Sequence, residues 1–322
     1  MDTKVAWHLA AFPRLRAGAE AGDRVAMFHL AHRYRDGRDV EASVPLTLHW
    51  VLKSVDQGYS RAQSLLGVLY YYGEGVPKSH RQAMKWYRAA AAQGDFEGLY
   101  NAGELFDESD EYPKNPVEAC AWMLVAATRG FMRGLDRIDR LVREMSFDNV
   151  ELAARRGAQI LRHVDQGLSL EGQGDFIEAQ PLPHTALPQG HTPPTRLSIM
   201  VEFAHHSGAE KAEILLFNEL ATGDTPLYLR ARHGAPGEEG GPAPTPAPGN
   251  ALLQIGCLAR NPDGMLQMLV FTDYQKLREF HRDVQCLNAP SEHVVAIMER
   301  EAYHSMVVNP GTASCYVMEN LP

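Results

Sequence analysis

Apolar and polar positions in the first half of the chain alternate with a helical rather than a strand period. Ala62, Leu66, Gly67 and Tyr70 stand at i, i+4, i+5 and i+8, the spacing of one helix face, and Gly73-Glu74-Gly75 ends the run. The next segment, SHRQAMKWYRAAAAQG, sets Ala83, Trp86 and Ala90 on a second helical face before Gly94 closes it. Together the two patterns predict a helical hairpin, helix A followed by helix B.

The hairpin pattern repeats. Trp50, Trp86 and Trp122 are 36 residues apart, and Gly58, Gly94 and Gly130 keep the same interval. So do Tyr34, Tyr70 and Phe106, and the small residues Ala31, Gly67 and Gly103. A small side chain at one place in every unit is what two helices need in order to approach closely. A hairpin of this size cannot bury its own apolar face, so the units have to stack. Helix A turns about 100° per residue, which puts Tyr70 in the core and points Ser64, Val68, Tyr71 and Tyr72 away from it.

The stretch AQSLLGVLYYYGEGVPKSHRQAMKWYRAAAAQGD closely resembles the Sel-one-like repeat, a relative of the tetratricopeptide repeat. It carries that family's alanine, leucine-glycine, tyrosine, Gly-x-Gly-Val, and then alanine, tryptophan, alanines and a final glycine. The first unit has DGRDV at the turn, and the third has Ser109 where the first turn glycine belongs, so different turns are expected there. LRAGAEAGD, ending near Gly22, resembles the end of a further helix B, and residues 134 to 164 keep helical periodicity without the signature, as a terminal cap would. The resemblance implies an α-solenoid whose outward helix A positions line a concave groove for a peptide or helix. Those positions are Phe28, His32 and Arg35 in the first unit, Val68, Tyr71 and Tyr72 in the second, and Tyr100, Glu104 and Asp107 in the third. The alternative for each is packing against the next repeat or the cap.

From Gln166 to Thr195 the chain is rich in proline and glycine and reads as an extended linker, and GAPGEEGGPAPTPAPG at 234 to 249 reads as a disordered loop. The segments LSIMVEFA, LLQIGCLA, MLQMLVF, HSMVV and SCYVM read as short strands, with RNPDG as a hairpin turn between the second and third. Helices are expected over AEKAEILLFNELA, over DYQKLREFHRDV behind a capping box of Thr272 and Gln275, and over EHVVAIMEREA. The solenoid is therefore expected to be followed by a small α+β domain over 196 to 322. TPLYLRA, MLVFTDYQKLREF and MVVNPGTASCYVM resemble the N-terminal domain of the enhanced serine sensitivity (SseB) family. Asn309-Pro310-Gly311 fits a tight turn between strands.

Composition narrows the function. At 322 residues and 45% hydrophobic the chain can fill two cores, and a net charge of −9 with an isoelectric point near 5.9 leaves no basic field for nucleic acid. No apolar run reaches the length of a spanning helix, and the first residues lack a signal-peptide core, so a cytoplasmic protein without membrane insertion is expected. Cys120, Cys257, Cys286 and Cys315 form no CxxC and read as reduced, core-filling thiols. His205-His206 read as a polar strand or turn edge rather than a metal site. Asp36, Asp107, Glu108 and Asp110 gather near the ends of helix A and read as a solvated acidic face. No nucleophile elbow, phosphate loop or dinucleotide fingerprint occurs. The expected function is a non-catalytic bacterial adaptor, without cofactor or metal, that binds a protein segment in the groove. The alternative is an immunity or inhibitor protein that neutralises a toxin or secreted effector.

Overall fold

The computed structural model describes residues 7–111, 114–170 and 194–222, and beyond them the strand residues 226–230, 259–260, 266–270, 286–290, 305–308 and 316–319. The chain divides into two compact units: Met1–Ile138 with Arg156–Pro183, and Asp139–Arg155 with His184–Pro322.

In the first unit the helices follow the 36-residue interval. After a 3-10 turn at Trp7–Leu9 and α1 (Phe12–Glu20) come α2 (Arg24–Asp36), α3 (Val44–Asp56), α4 (Ser60–Tyr72), α5 (His80–Ala91), α6 (Phe96–Glu108) and α7 (Pro116–Thr128). The caps keep the same beat. Ser43, Ser79 and Asn115 accept the amides of Leu46, Gln82 and Glu118 at the starts of α3, α5 and α7. Asp23 and Asp95 cap α2 and α6 through their carboxylates, whereas Tyr59 leaves the start of α4 without a side-chain cap. Gly22, Gly58, Gly94 and Gly130 end the preceding helices at positive φ, which favours glycine.

The first turn does not differ from the second as expected. Gly37 and Asp39 take φ of 65° and 64° where Gly73 and Gly75 take 77° and 75°. Asp39 adopts the left-handed conformation that aspartate tolerates, and its carboxylate pairs with Arg33. The third turn does depart, because Ser109 leaves α6 extended at φ −67° and ψ 140°. All three nevertheless close with one bond, Ser43 N to Tyr34 O at 2.9 Å, Ser79 N to Tyr70 O at 2.9 Å and Asn115 N to Phe106 O at 2.8 Å.

The small column explains the hairpin. A Cβ placed on Gly67 would lie 2.5 Å from the buried Tyr87 ring and 3.2 Å from the Ala83 carbonyl oxygen. At Gly103 it would lie 2.9 Å from Met123 Cγ and 3.0 Å from the Ala119 oxygen. Tyr87 and Met123 occupy the same register of helix B, so one missing side chain admits one bulky neighbour in the second and third repeats, whereas the first pairs Ala31 with Val51 in those positions. Trp122 is fully buried and Trp50 nearly so, while Trp86 and Tyr70 are partly exposed and pack against the core. Cys120 is a free, buried thiol whose pKa burial raises.

Beyond the repeats lie a 3-10 turn at Met132–Gly134, α8 (Leu135–Arg143) and α9 (Phe147–Asp165). In the second unit, LSIMVEFA is a helix and not a strand. It belongs to α10 (Arg196–Ser207), opened by a capping box of Thr195 and Ser198 and closed by Gly208 at φ 55°. Leu197, Ile199, Met200, Val201 and Phe203 are all buried, so burial on every side removes the amphipathic period that marks a helix. His205 and His206 therefore lie in the last turn of that helix rather than on a strand edge. α11 (Glu210–Thr222) packs on α10, and Arg196 pairs with the buried Glu219 at 2.9 Å.

The described strand backbones are β1 (Pro226–Arg230), β2 (Ala259–Arg260), β3 (Leu266–Val270), β4 (Cys286–Pro290), β5 (Ser305–Val308) and β6 (Tyr316–Glu319). β1 pairs antiparallel with β4, and the other four run in the order β2-β3-β5-β6 with β3 and β5 parallel. The loop at 234 to 249, most of the linker, the Thr272-Gln275 box, the two later helices and Asn309-Pro310-Gly311 lie outside the described residues.

The glycine column yields a stability test. Gly67→Ala forces the Tyr87 ring or the α5 backbone to shift and is expected to cost about 1–3 kcal/mol in urea denaturation. A loss no larger than that of a surface alanine substitution would show that the helices can separate freely.

Candidate functional site

The helix A residues chosen from the sequence divide between a joint and an exposed face. Phe28 is buried and meets the Tyr59 ring at 5.4 Å. One repeat later Ser64, also buried, donates its hydroxyl to the Asp95 carboxylate at 2.6 Å, and after another repeat Tyr100 meets the Phe131 ring at 4.8 Å. Each pair is 31 residues apart and joins helix A of one repeat to the residue that opens the next. Phe28 and Tyr100 are thus largely committed to this joint, and Ser64 does not point into solvent. The outward phase fails here because the entry of the following helix A folds over that side of the helix.

Two other residues are partly committed. Tyr71 stacks on the buried His80 at 4.6 Å, within the hairpin of α4 and α5. Arg35 forms a two-pronged pair with Glu74 at 2.9 and 3.0 Å, tying the end of α2 to the turn after α4. On the exposed side, Tyr72 is 64% accessible, and Val68 and His32 are half-buried.

Glu104 and Asp107 belong to an acidic group that one cation gathers. Arg137 reaches Asp107 at 2.7 Å and Glu104 at 3.8 Å, and pairs with Glu108 as well. Asp107 is buried, so the expected solvated acidic face is in part an internal ion-pair network. Burial raises the Glu104 pKa, opposed by the Tyr100 hydroxyl and by Arg137. The Tyr100 hydroxyl donates to Glu104 at 2.9 Å, and burial with that bond pushes its pKa up to about 12. Asp110 stands apart with Lys78 at 3.1 Å.

Sequence reasoning passed over a cationic and aromatic group at the other end of the array. Arg61 lies 5.6 Å above the Phe96 ring, and Arg24 lies 5.8 Å above Tyr59. His29 and His32 both sit against Phe28, at 5.1 and 4.6 Å. Burial, followed by the charges of His32, His8, Arg61 and Arg33, holds His29 down to about 4 from 6.5. His32 is also lowered, by burial first, with Asp36 opposing and Arg35 and Arg61 adding to it. The equivalent column reads Val25, Arg61 and Glu97, three unlike residues, so the period gives no signal for it. Among the described residues no group of three or more histidine, cysteine, aspartate or glutamate side chains could hold a metal ion, and no helix is long and apolar enough to cross a membrane.

Stacked helical hairpins with a common joint and a repeated turn define a helical repeat solenoid. Residues 24–59, 60–95 and 96–131 each match the Sel1 repeat family, so this part of the chain is an array of three Sel1 repeats. A Sel1 repeat protein from Oxalobacter formigenes is 30% identical, and the alignment covers 40% of this chain and 96% of that one at a TM-score of 0.35. A protective antigen of uropathogenic Escherichia coli strains, described as displaying an SLR fold, is 20% identical at a TM-score of 0.36, over 66% of this chain and 52% of that one. The chain thus spans about half the length of the antigen. No curated protein matches it. Sel1 repeat proteins typically mediate protein–protein interactions and are generally non-catalytic scaffolds.

Two measurements test the electrostatics of this region. Arg137→Gln leaves the buried Asp107 beside two carboxylates without their cation, and a loss of about 2–4 kcal/mol is expected in chemical denaturation. A loss within the range of a surface ion pair would place the network in solvent. The depressed His29 binds its proton more readily in the unfolded chain, so its contribution to stability is full above about pH 6.5 and is lost as pH falls toward about 4. The melting temperature of His29→Gln is therefore expected to fall less than that of the wild type between about pH 7.5 and pH 5. Equal slopes would overturn that assignment.

Proposed function

We propose that the chain is a non-catalytic bacterial adaptor that holds a segment of a partner protein along the helix A face of its Sel1 repeats. The observation carrying this reading is Tyr72, a large aromatic side chain left 64% accessible on that face while Phe28, Tyr71 and Tyr100 are engaged within the fold. Exposed tyrosine beside half-buried Val68 supplies amphipathic contact surface of the kind that anchors protein interfaces. In this reading residues 196 to 322 form an SseB-like α+β domain with a second binding surface. The segment 166 to 195 tethers it and raises its effective concentration near the bound partner.

The test is affinity capture from the native bacterium by the wild-type chain and by Val68→Ser/Tyr72→Ala, with mass spectrometry of what is retained. Loss of a stoichiometric partner in the variant, with an unchanged melting temperature, is the expected result. If the captured proteins are the same for both, the helix A face is not the binding surface. A single partner that is toxic when expressed alone would identify the adaptor as an immunity protein.

A further inference from the structure

The last residues of α2, α4 and α6 fall in one column, Asp36, Tyr72 and Glu108, and all three are exposed. Neighbouring ends of this rim are tied together, Arg35 to Glu74 across the first pair and Lys78 to Asp110 across the second. An accessible ring therefore stands between two carboxylates. Asp36 forms no hydrogen bond or ion pair among the described residues and acts only through space, on His32 and Arg35. Glu108 shares Arg137 with Asp107 and Glu104, so one cation serves three carboxylates. The rim sets Asp36, Glu74, Glu104, Asp107, Glu108 and Asp110 against Arg35, Lys78 and Arg137, and His32, lowered by burial first, adds little to the cations. Widening the face to the turns brings in Arg33, Arg38 and Lys114 with Asp39 and Glu111 and leaves the excess negative. The last turn of α6 holds Asp107 and Glu108 and no basic residue, which adds to the negative end of the helix dipole. Burial first, then Glu108, raises the pKa of Tyr71, with Glu104 and Asp110 adding to it, as a negative field at these rings requires.

Tyr72 also lacks what other rings of the array have. Arg24 lies over Tyr59, Lys53 over Trp50, Arg61 over Phe96 and Lys85 over Trp86, at 5.8, 5.0, 5.6 and 6.0 Å. Among the described residues no lysine or arginine lies over Tyr72. Arg35 is near enough to feel the phenol, but its fork is closed on Glu74.

We propose that Tyr72, between Asp36 and Glu108, is a docking subsite for a basic segment of the partner protein, with an arginine or lysine laid on the Tyr72 ring in the field of the two carboxylates. Val68, one turn earlier on α4, takes an apolar neighbour of that residue. Charge complementarity selects this occupant: an acidic rim around an uncovered ring attracts basic segments, repels acidic ones and offers neutral ones only the apolar contact. The proposal rests on the protein-binding reading above and specifies the chemistry of the partner.

Fluorescence anisotropy of the full chain with a short labelled Arg-Leu peptide tests it, with a citrulline-Leu peptide, which keeps the length without the charge, and a Glu-Leu peptide as controls. The wild type is expected to bind the Arg-Leu peptide alone, and Asp36→Asn/Glu108→Gln to bind it at least about tenfold more weakly with an unchanged melting temperature. Asp36→Asn by itself should weaken it about threefold and serves if the Glu108 change loosens the Arg137 network. Asp56→Asn, at the end of α3, should leave binding unaltered. Absence of Arg-Leu binding, equal binding of the citrulline peptide, unaltered binding by both rim variants, or equal weakening by Asp56→Asn overturns the proposal. Capture of the native partner separates this failure from that of the wider reading. A partner lost in Val68→Ser/Tyr72→Ala but retained by Asp36→Asn/Glu108→Gln removes the basic subsite and leaves the adaptor, whereas capture indifferent to the Val68/Tyr72 variant removes the adaptor reading itself.

Discussion

Everything in the first unit follows from how closely two helices of one hairpin can lie. With glycine at 67 and 103, the helix A backbone comes within contact of Tyr87 and Met123, and those bulky side chains fill the volume that a second Cβ would have claimed. Close approach fixes the angle of the hairpin, the angle fixes which residues reach the next repeat, and the turn has to return the chain at the same height each time. The shared bond from Ser43, Ser79 and Asn115 back to the residue near the end of helix A is that return, made through three different loop sequences. The constraint is on backbone shape, which is why Asp39 can replace a glycine once Arg33 holds its carboxylate.

How much of this could be read beforehand varies with the kind of interaction. Columns of like residues were legible: the tryptophans, the small residues and the closing glycines each mark one structural role, and the helices begin 36 residues apart as they imply. The joint was not. It links positions 31 residues apart, and its middle version, a hydroxyl with a carboxylate, breaks the aromatic pairing of the other two, so no one column reveals it. The same blindness hid Arg61, which stands between valine and glutamate in its column. Arg137 was missed because it lies beyond the periodic region, in α8, and acts on Asp107 30 residues earlier, an interval that is not the repeat's. At α10 the error ran the other way. A run buried on all sides has no polar face, and only the Thr195-Ser198 spacing carried the helical signal.

The helix A face is consequently uneven in its availability. Where an aromatic side chain meets the entry of the next repeat, its surface is spent on folding, and where it stands at the end of helix A, as Tyr72 does, it remains accessible. Charge is divided in the same manner. The carboxylates of Glu104, Asp107 and Glu108 are gathered by Arg137, while Arg24 and Arg61 lie over aromatic rings, Arg61 also acting on Glu97, and burial keeps His29 neutral at physiological pH. An array built from one motif thus presents two chemically distinct ends without any change in backbone.

The 31-residue joint also fixes where the repeat can be cut. Phe28 with Tyr59, Ser64 with Asp95, and Tyr100 with Phe131 each fall inside one of the three matched segments, although each bridges two successive hairpins in space. A recombination event just before helix A therefore moves a unit together with its own matched fastener, so duplication, deletion or reordering leaves every joint paired with its correct mate. A break in the turn after helix A would separate the halves and set tyrosine against a buried carboxylate. The unit of inheritance that this geometry favours is the hairpin together with the residue that opens the next one, and array length can drift without new interfaces having to be invented.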